Sequence, residues 1–557
     1  MSGTAKQRPD TGTPARPVRL PGLPAHEPSR PATRRPGQDR LRALLSLAPL
    51  VALVVLLSAC ASRSVEPYER PAPAYAMPAA TEGAFAGIES GIRSRHGPEH
   101  SGFALIDANA DAVRHWLLLI DSATHSIDVQ YYLWYGDTVG QLLVNRLLDA
   151  ADRGVRVRML VDDLNSLIRD ATTVVSRDDV AARLDAHPNV ELRLFNPWTN
   201  RDIAGRAGEM VVEFGRLNQR MHNKAIIVDN RAVILGGRNI GNEYFGLNPA
   251  FNFRDLDVLG IGPVARQTSA VFDAYWNSAW AMPAAALGLQ VPAEQQAVAR
   301  SQARASLAQA SALAQVPLEP RSWGDELRAL PGRLHPGTSR VIADLPTGGG
   351  IDQLMLDEIR ALLRSARKEL LIVNAYIIPA EHGIAILRDL DAAGVDVRIL
   401  TNSLASHDVP AVNSHYSQWR RPILEAGGEL HEMRHDAAIK ESVADTPPTQ
   451  AHFMGLHAKA LVIDRERAYI GSMNLDPRSA LINSEMGVII DSPGLGEALA
   501  EIIERDMQPA NSWRVELDGD RGLRWINDAE TVTRQPARSW WQRVEDVLFK
   551  AVPKEYY

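Results

Sequence analysis

The stretch RMHNKAIIVDNRAVILGGRNIGNEY, Arg220 to Tyr244, returns later in the chain as GLHAKALVIDRERAYIGSMNLDPR, Gly455 to Arg478. Both copies read His-x-Lys, four residues, Asp, six residues, then Gly-x-x-Asn. In the first copy these are His222, Lys224, Asp229, Gly236 and Asn239; in the second they are His457, Lys459, Asp464, Gly471 and Asn474. One such match carries little information, but two with the same internal spacing are hard to obtain by chance. Ala225 to Val228 and Ala460 to Ile463 are apolar and partly β-branched. Asp229-Asn230 and Asp464-Arg465 read as turns, and Val233 to Leu235 and Ala468 to Ile470 resume the apolar pattern. The expectation is strand, tight turn, strand. The two-residue period of a strand puts His222 and Lys224 on one face, and His457 and Lys459 likewise.

Working outward, the repeat continues. Ala110 to Thr124 spaces Val113, Leu117 and Ile120 as a helix, Ile127 to Trp134 is β-rich, Thr138 to Arg153 is helical and Val155 to Val161 is again a strand. The later half repeats the order, with strand Leu370 to Ile378, helix Gly383 to Ala393 and strand Val395 to Leu400. Strand–helix–strand units call for right-handed crossovers and parallel pairs. The fold class expected is therefore α/β, with two homologous half-domains of mixed β-sheet flanked by helices, packed with pseudo-twofold symmetry.

The chain has 557 residues, a formal charge of -7, 45% hydrophobic and 23% charged residues. That describes a globular protein with ample core and argues against a nucleic-acid binder, which carries a basic footprint. Cys60 is the only cysteine, so no internal disulfide or multi-cysteine zinc site is available. It ends an uncharged apolar run, Ala43 to Ala59, behind Arg34, Arg35, Arg40 and Arg42. A basic lead, an apolar run and a small-residue end read as a secretory signal. Leu57-Ser58-Ala59-Cys60 resembles the bacterial lipobox, which implies lipidation of Cys60. With Ala61 next, the resemblance places a lipoprotein at the outer membrane facing the periplasm. The alternative is an uncleaved anchor in the inner membrane, since the run is near the lower limit for spanning.

The expected layout is a long lead and signal over 1–60, a tether over 61–82, a first half-domain over 83–285 and a helical and loop connection over 286–345. A second half-domain over 346–510 follows, then a C-terminal tail over 511–557. In that tail Trp540, Val544, Val547, Leu548 and Ala551 recur at helical spacing. The segment fits either a membrane interface or a last helix docked on the domain. His431-Glu432-Met433-Arg434-His435 matches a zinc-peptidase pattern that works only on a helix. Here it occupies the place of the strand expected at Val190 to Phe195, and histidines four apart on a strand stand roughly 13 Å from each other. No metal is expected.

The paired motifs are the duplicated HKD signature, and the chain resembles the phospholipase D superfamily. DVQYYLWYGDTVG, RGVRVRMLVDDLN, FNFRDLDVLGIGPV and HYSQWRRPILEAGGELHEMR look like its bacterial cardiolipin synthase C branch. The resemblance implies two phospholipase D-like half-domains and a cofactor-free phosphatidyltransferase passing through a phosphohistidine. It also implies His222 as nucleophile and His457 as acid/base, with Lys224, Lys459, Asn239 and Asn474 holding the phosphate. A histidine needs an acid to orient it. Asp229 and Asp464 belong to the signature, yet they fall at turns and read as structural. Asp255 and Glu485, each at the head of an apolar strand some tens of residues after a motif histidine, stand where the family places that acid. Asp257 competes with Asp255, and Asn483 lies beside Glu485. Phospholipid substrates follow, phosphatidylglycerol with phosphatidylethanolamine as a second option, together with a membrane surface. A hydrolytic phospholipase D, a nuclease and a surface-tethered binding protein with a dead site are the alternatives.

Overall fold

The computed structural model describes residues 69–163, 184–201, 203–348, 350–519 and 522–549. The apolar run, the lipobox-like end with Cys60, and Ala551 lie outside the described residues.

In the first half, β1 (Ser101–Ile106), α1 (Asn109–Ser122), β2 (Ser126–Tyr131), α2 (Thr138–Asp152), β3 (Arg156–Asp162) and β4 (Val190–Phe195) precede the motif. The motif supplies β5 (Lys224–Val228) and β6 (Ala232–Gly236); β7 (Phe251–Arg254) and β8 (Asp257–Ile261) follow. The sheet order is β4-β3-β2-β5-β6-β8-β1. β2, β3 and β4 run parallel, and the rest pair antiparallel. Asp137 caps α2 by accepting from the Gly140 N–H, the usual service of a short acidic side chain at a helix start. α1 buries Val113, Trp116, Leu117 and Ile120 on the sheet, as its spacing requires.

The second half follows the same plan. Its elements are β9 (His335–Ala343), α3 (Met355–Arg364), β10 (Glu369–Asn374), α4 (Ala380–Ala392), β11 (Asp396–Asn402), α5 (Pro410–Tyr416) and β12 (Glu429–Met433). Then come β13 (Phe453–Leu456), β14 (Lys459–Ile463), β15 (Arg467–Gly471), α6 (Pro477–Leu481), β16 (Met486–Asp491), β17 (Ser512–Asp518) and α7 (Trp540–Phe549). Its order, β12-β11-β10-β14-β15-β16-β9, is that of the first half. The two sheets join where β1 pairs with β9, Ser101 opposite Gly337. Past their opening lysines the motif strands are apolar at every position, because they are covered on both faces, so they read as runs and not as alternation.

The structure differs from the expected layout at three borders. β9 falls inside the segment read as connection, yet it pairs with β16 over six positions. β17 extends the second sheet past 510 by pairing with β12. Part of the segment read as a tether is packed on the first half. Arg156 and Arg158 donate to the carbonyls of Tyr75 and Ala74, and the Ala80 N–H donates to the Asp229 carbonyl. These bonds come from distant strands and helices, which local composition does not register.

The motif carboxylates sit at the turns. Asp229 accepts from the backbone N–H groups of Thr124, His125 and Ser126 and from the Thr124 hydroxyl. Asp464 does the same for Arg367, Lys368 and Glu369. Asp229, Asn230, Asp464 and Arg465 all have φ between 51° and 58°, a left-handed pair that suits a two-residue hairpin turn. Each aspartate thus clasps its hairpin to the start of the neighbouring parallel strand. Asp229→Asn removes a charged acceptor facing four donors. It is expected to cost about 1.5–3 kcal/mol of stability, seen as a lowered thermal midpoint, with turnover per folded molecule largely kept.

Candidate active site

The two halves exchange backbone hydrogen bonds next to each motif histidine. Met221 bridges Ser484 in parallel, with the His222 N–H donating to the Ser484 carbonyl and the Ser484 N–H to the Arg220 carbonyl, each at 2.8 Å. On the other side β7 and β13 run parallel, Arg254 opposite Leu456, and the His457 N–H donates to the Arg254 carbonyl at 2.8 Å. Parallel neighbours advance together, so each histidine is delivered beside the residue that follows its partner strand.

The histidine–acid pairs therefore cross between halves. His222 Nδ1 lies 2.7 Å from Glu485 Oε2, and His457 Nδ1 lies 2.7 Å from Asp255 Oδ2. Sequence order ties each acid to the histidine that precedes it; the fold pairs it with the other. Both acids are fully buried and both histidines nearly so. With Nδ1 engaged by a carboxylate, Nε2 is the nitrogen left to react. Asp257 is ruled out as the orienting acid, because its Oδ2 holds the buried Arg238 Nε at 2.7 Å.

Lys224 and Lys459 have no solvent exposure, and each ammonium donates to the carbonyl of its own motif histidine. Burial pushes Lys224 down to about 7 against the pull of Glu485, and Lys459 adds to the fall. Burial also takes Lys459 down to about 8, with Asp255 and Glu485 opposing it. Burial and the two lysines hold His222 well below the usual imidazole range, and burial with Lys459 takes His457 to about 4. Each histidine thus feels the lysine of the other half as well as its own.

The two acids differ. Burial raises Glu485 to about 7, although Lys224 and the Ser472 hydroxyl favour its anion. Burial acts on Asp255 too, but His457, Lys459 and Arg238 outweigh it and hold the carboxyl below its usual range. Oε1 of Glu485 has no hydrogen-bond partner among the described residues, whereas Oδ1 of Asp255 accepts from the Leu256 N–H.

Asn239 and Asn474 are buried with their Oδ1 atoms unpartnered among the described residues. The Oδ1 of Asn483 is likewise unpartnered. Aromatic edges pack on both imidazoles, Tyr132 on His222 at 4.7 Å and Tyr244 on His457 at 5.2 Å. Ser472, whose hydroxyl donates to Glu485 Oε2, was not foreseen. The signal was present, since Ser472 stands where the first motif has Gly237. A Cβ at Gly237 would lie 2.4 Å from Asp255 Oδ1, so that acid leaves no room for a side chain. The first three residues of the zinc-like pentapeptide, His431 to Met433, lie on β12. There Glu432 accepts from Tyr416, Arg420 and Trp525, and His431 contacts Glu429.

Residues 117–276 and 359–507 match the family described as "Cardiolipin synthase, PLD-like domain". The chain is 34% identical to cardiolipin synthase C of Escherichia coli over 492 residues, 83% of this chain and 97% of that one. It is 25% identical to the major cardiolipin synthase ClsA of Bacillus subtilis, over 78% of this chain and 75% of that one. In fold it is similar to the crystal structure of phosphatidylserine synthase from Haemophilus influenzae. That likeness has a TM-score of 0.50 at 14% identity and covers 77% of this chain and 91% of that one. The chain belongs to the cardiolipin synthase family of phospholipase D-like proteins and is a phospholipid phosphatidyltransferase.

Proposed function

We propose that the protein makes cardiolipin from phosphatidylglycerol and a second phospholipid by two in-line displacements through a phosphohistidine. The observation that carries this reading is the pair of crossed imidazole–carboxylate couples around two buried lysines. A phosphodiester anion resists a nucleophile unless its charge is met by fixed cations and donors. Lys224, Lys459, Asn239 and Asn474 would supply them. Burial disfavours positive charge here; an anion entering between the lysines offsets their repulsion and raises their pKa values and those of the histidines.

In the first step His222 Nε2 attacks phosphorus and the bond to the leaving glycerol oxygen breaks, that oxygen taking the proton from His457 Nε2. In the second, the acceptor hydroxyl gives its proton to His457 and attacks phosphorus, and the N–P bond to His222 breaks. The asymmetry of the acids supports this division. An ionised Asp255 stabilises a protonated His457, whereas Glu485, raised to about 7, offers less to a cation and leaves His222 neutral and nucleophilic.

A membrane surface as partner is supported by α7. It docks through polar residues: Gln542 donates to the Leu404 carbonyl, and Asp546 accepts from Asn413 and Gln535. Its apolar residues point outward, with Trp540 73% and Leu548 63% exposed. A helix with its polar side inward and tryptophans outward suits a lipid interface. Among the described residues no helix is long and apolar enough to cross a membrane.

With phosphatidylglycerol as donor, the expected product is cardiolipin. Phosphatidic acid alone, with acceptor in excess, would make the protein a hydrolase. His222→Ala or His457→Ala should each lower turnover by several orders of magnitude, and the double variant little further, because the two act as a unit. Chelator should leave the rate unchanged, since the scheme assigns charge neutralisation to lysines.

The acids should also separate in kinetics. Asp255→Asn is expected to lower kcat by about 10² to 10⁴. Glu485→Gln should cost less and approach wild type below pH 7, where Glu485 is itself protonated. Equal losses at every pH would contradict the assigned roles.

The lysines set an alkaline limit. Because Lys224 titrates near 7 in the free enzyme, kcat/KM should fall as pH rises above about 7. Bound phosphate stabilises the ammonium and raises its pKa, so kcat should fall only at higher pH. Coincident alkaline limbs would show that Lys224 does not meet the substrate anion.

A further inference from the structure

The two halves superpose in plan but not in filling. Tyr131 stands opposite Lys224, and Asn374 stands opposite Lys459, so Tyr131 corresponds to Asn374. Counting outward without gaps, Trp134 corresponds to Ile377 and Trp116 to Ile359. The backbone agrees, since Trp134 bridges Ile240 as Ile377 bridges Leu475. From the motif asparagines, Phe245 corresponds to Ala480.

In the first half these four aromatic residues form one cluster. Trp116 meets Tyr131, Trp134 and Phe245 edge-on at 5.4, 6.1 and 6.5 Å, and all four are buried. They fill the space between α1, α2 and the segment after the motif. In the second half the corresponding residues are Asn, Ile, Ile and Ala, each smaller. The space between α3, α4 and the segment after the second motif is left as an apolar cavity of about 260 Å³.

Ile359, Ile377, Ile386, Leu387 and Ala480 line it, and Leu481, 66% exposed, stands at its solvent side. Its wall also includes Asn474 and Asp476. Asn474 is the motif asparagine whose buried Oδ1 has no partner among the described residues. The Asp476 carboxyl interacts electrostatically with Glu485 and Lys459. Asn474 thus belongs both to the second motif and to the wall of the cavity.

We propose that this cavity holds one acyl chain of the phospholipid whose phosphate lies between the motif histidines. The inference rests on the phosphatidyl-transfer reading for its ligand. Apolar walls meeting polar groups at one end match a lipid, whose chain begins a few bonds from its phosphate, and pockets of this character bind ligands of that kind. In the first half the aromatic residues occupy the corresponding space, so the acyl site belongs to one side of a symmetric catalytic centre.

The test restores the plug with Ala480→Phe, and with Ile359→Trp and Ala480→Phe together, side chains that the first half accommodates in the same place. Thermal midpoints check folding. With long-chain phosphatidylglycerol in mixed micelles, the variants should raise KM at least tenfold. Turnover of bis(4-nitrophenyl) phosphate, a phosphodiester without acyl chains, should be unchanged. Phosphatidylglycerol carrying a diazirine at one chain terminus should label wild type on α4 and on 473–481, and the double variant should lose that label.

Unchanged KM for the long-chain lipid, or labelling elsewhere in wild type, overturns the proposal while leaving the transferase reading intact. A wild type that turns over neither substrate defeats the transferase reading, and the photolabel then still decides what the cavity holds. Should a variant fail to fold, the wild-type label decides alone.

Discussion

The active site depends on two short exchanges of parallel backbone hydrogen bonds between the halves, Met221 with Ser484 and β7 with β13. Each brings a histidine of one half beside the carboxylate of the other. Without this register Glu485 and Asp255 would be buried acids with no basic partner, a costly state. The same contacts that join the halves therefore complete the imidazole–carboxylate couples. A half-domain alone would hold one histidine, one lysine and an acid belonging to the other site.

Burial does much of the electrostatic work. Two ammonium groups and two imidazoles in a water-poor cleft repel one another and lose protons more readily than in solvent. That condition is unfavourable, and the phosphodiester anion proposed as substrate would relieve it. The motif aspartates take no direct part in this arrangement. Asp229 and Asp464 hold the hairpins by accepting backbone N–H groups, which keeps the strands that carry the lysines in register with the parallel strands beside them.

Symmetry in the backbone coexists with asymmetry in side chains, and the differences fall where a transferase needs them. One acid is an aspartate held ionised, the other a glutamate shared with Ser472. One half is plugged with aromatics and the other leaves a cavity. The proposed two-step reaction through one phosphorus needs a nucleophile and a proton carrier, two different jobs for chemically identical imidazoles. Unequal surroundings can assign them.

The repeat, the strand–turn–strand reading of each motif and the identity of the histidines, lysines and acids were legible in the sequence. Spacing, β-branching and turn residues are local, and both copies carry them. The zinc-like pentapeptide was also readable as strand, because its counterpart in the first half is one. What the sequence could not decide is which acid serves which histidine. Chain order links Asp255 to His222 and Glu485 to His457; only the parallel contacts between halves reverse this. The contact of Ser472 with Glu485, the place of Asn474 in the cavity wall and the packing of residues 74–80 on the first half were hidden for the same reason. So was the cavity where Trp116, Trp134 and Phe245 have small counterparts. Each arises from contacts between residues far apart in the chain, and such contacts exist only once the tertiary structure has formed.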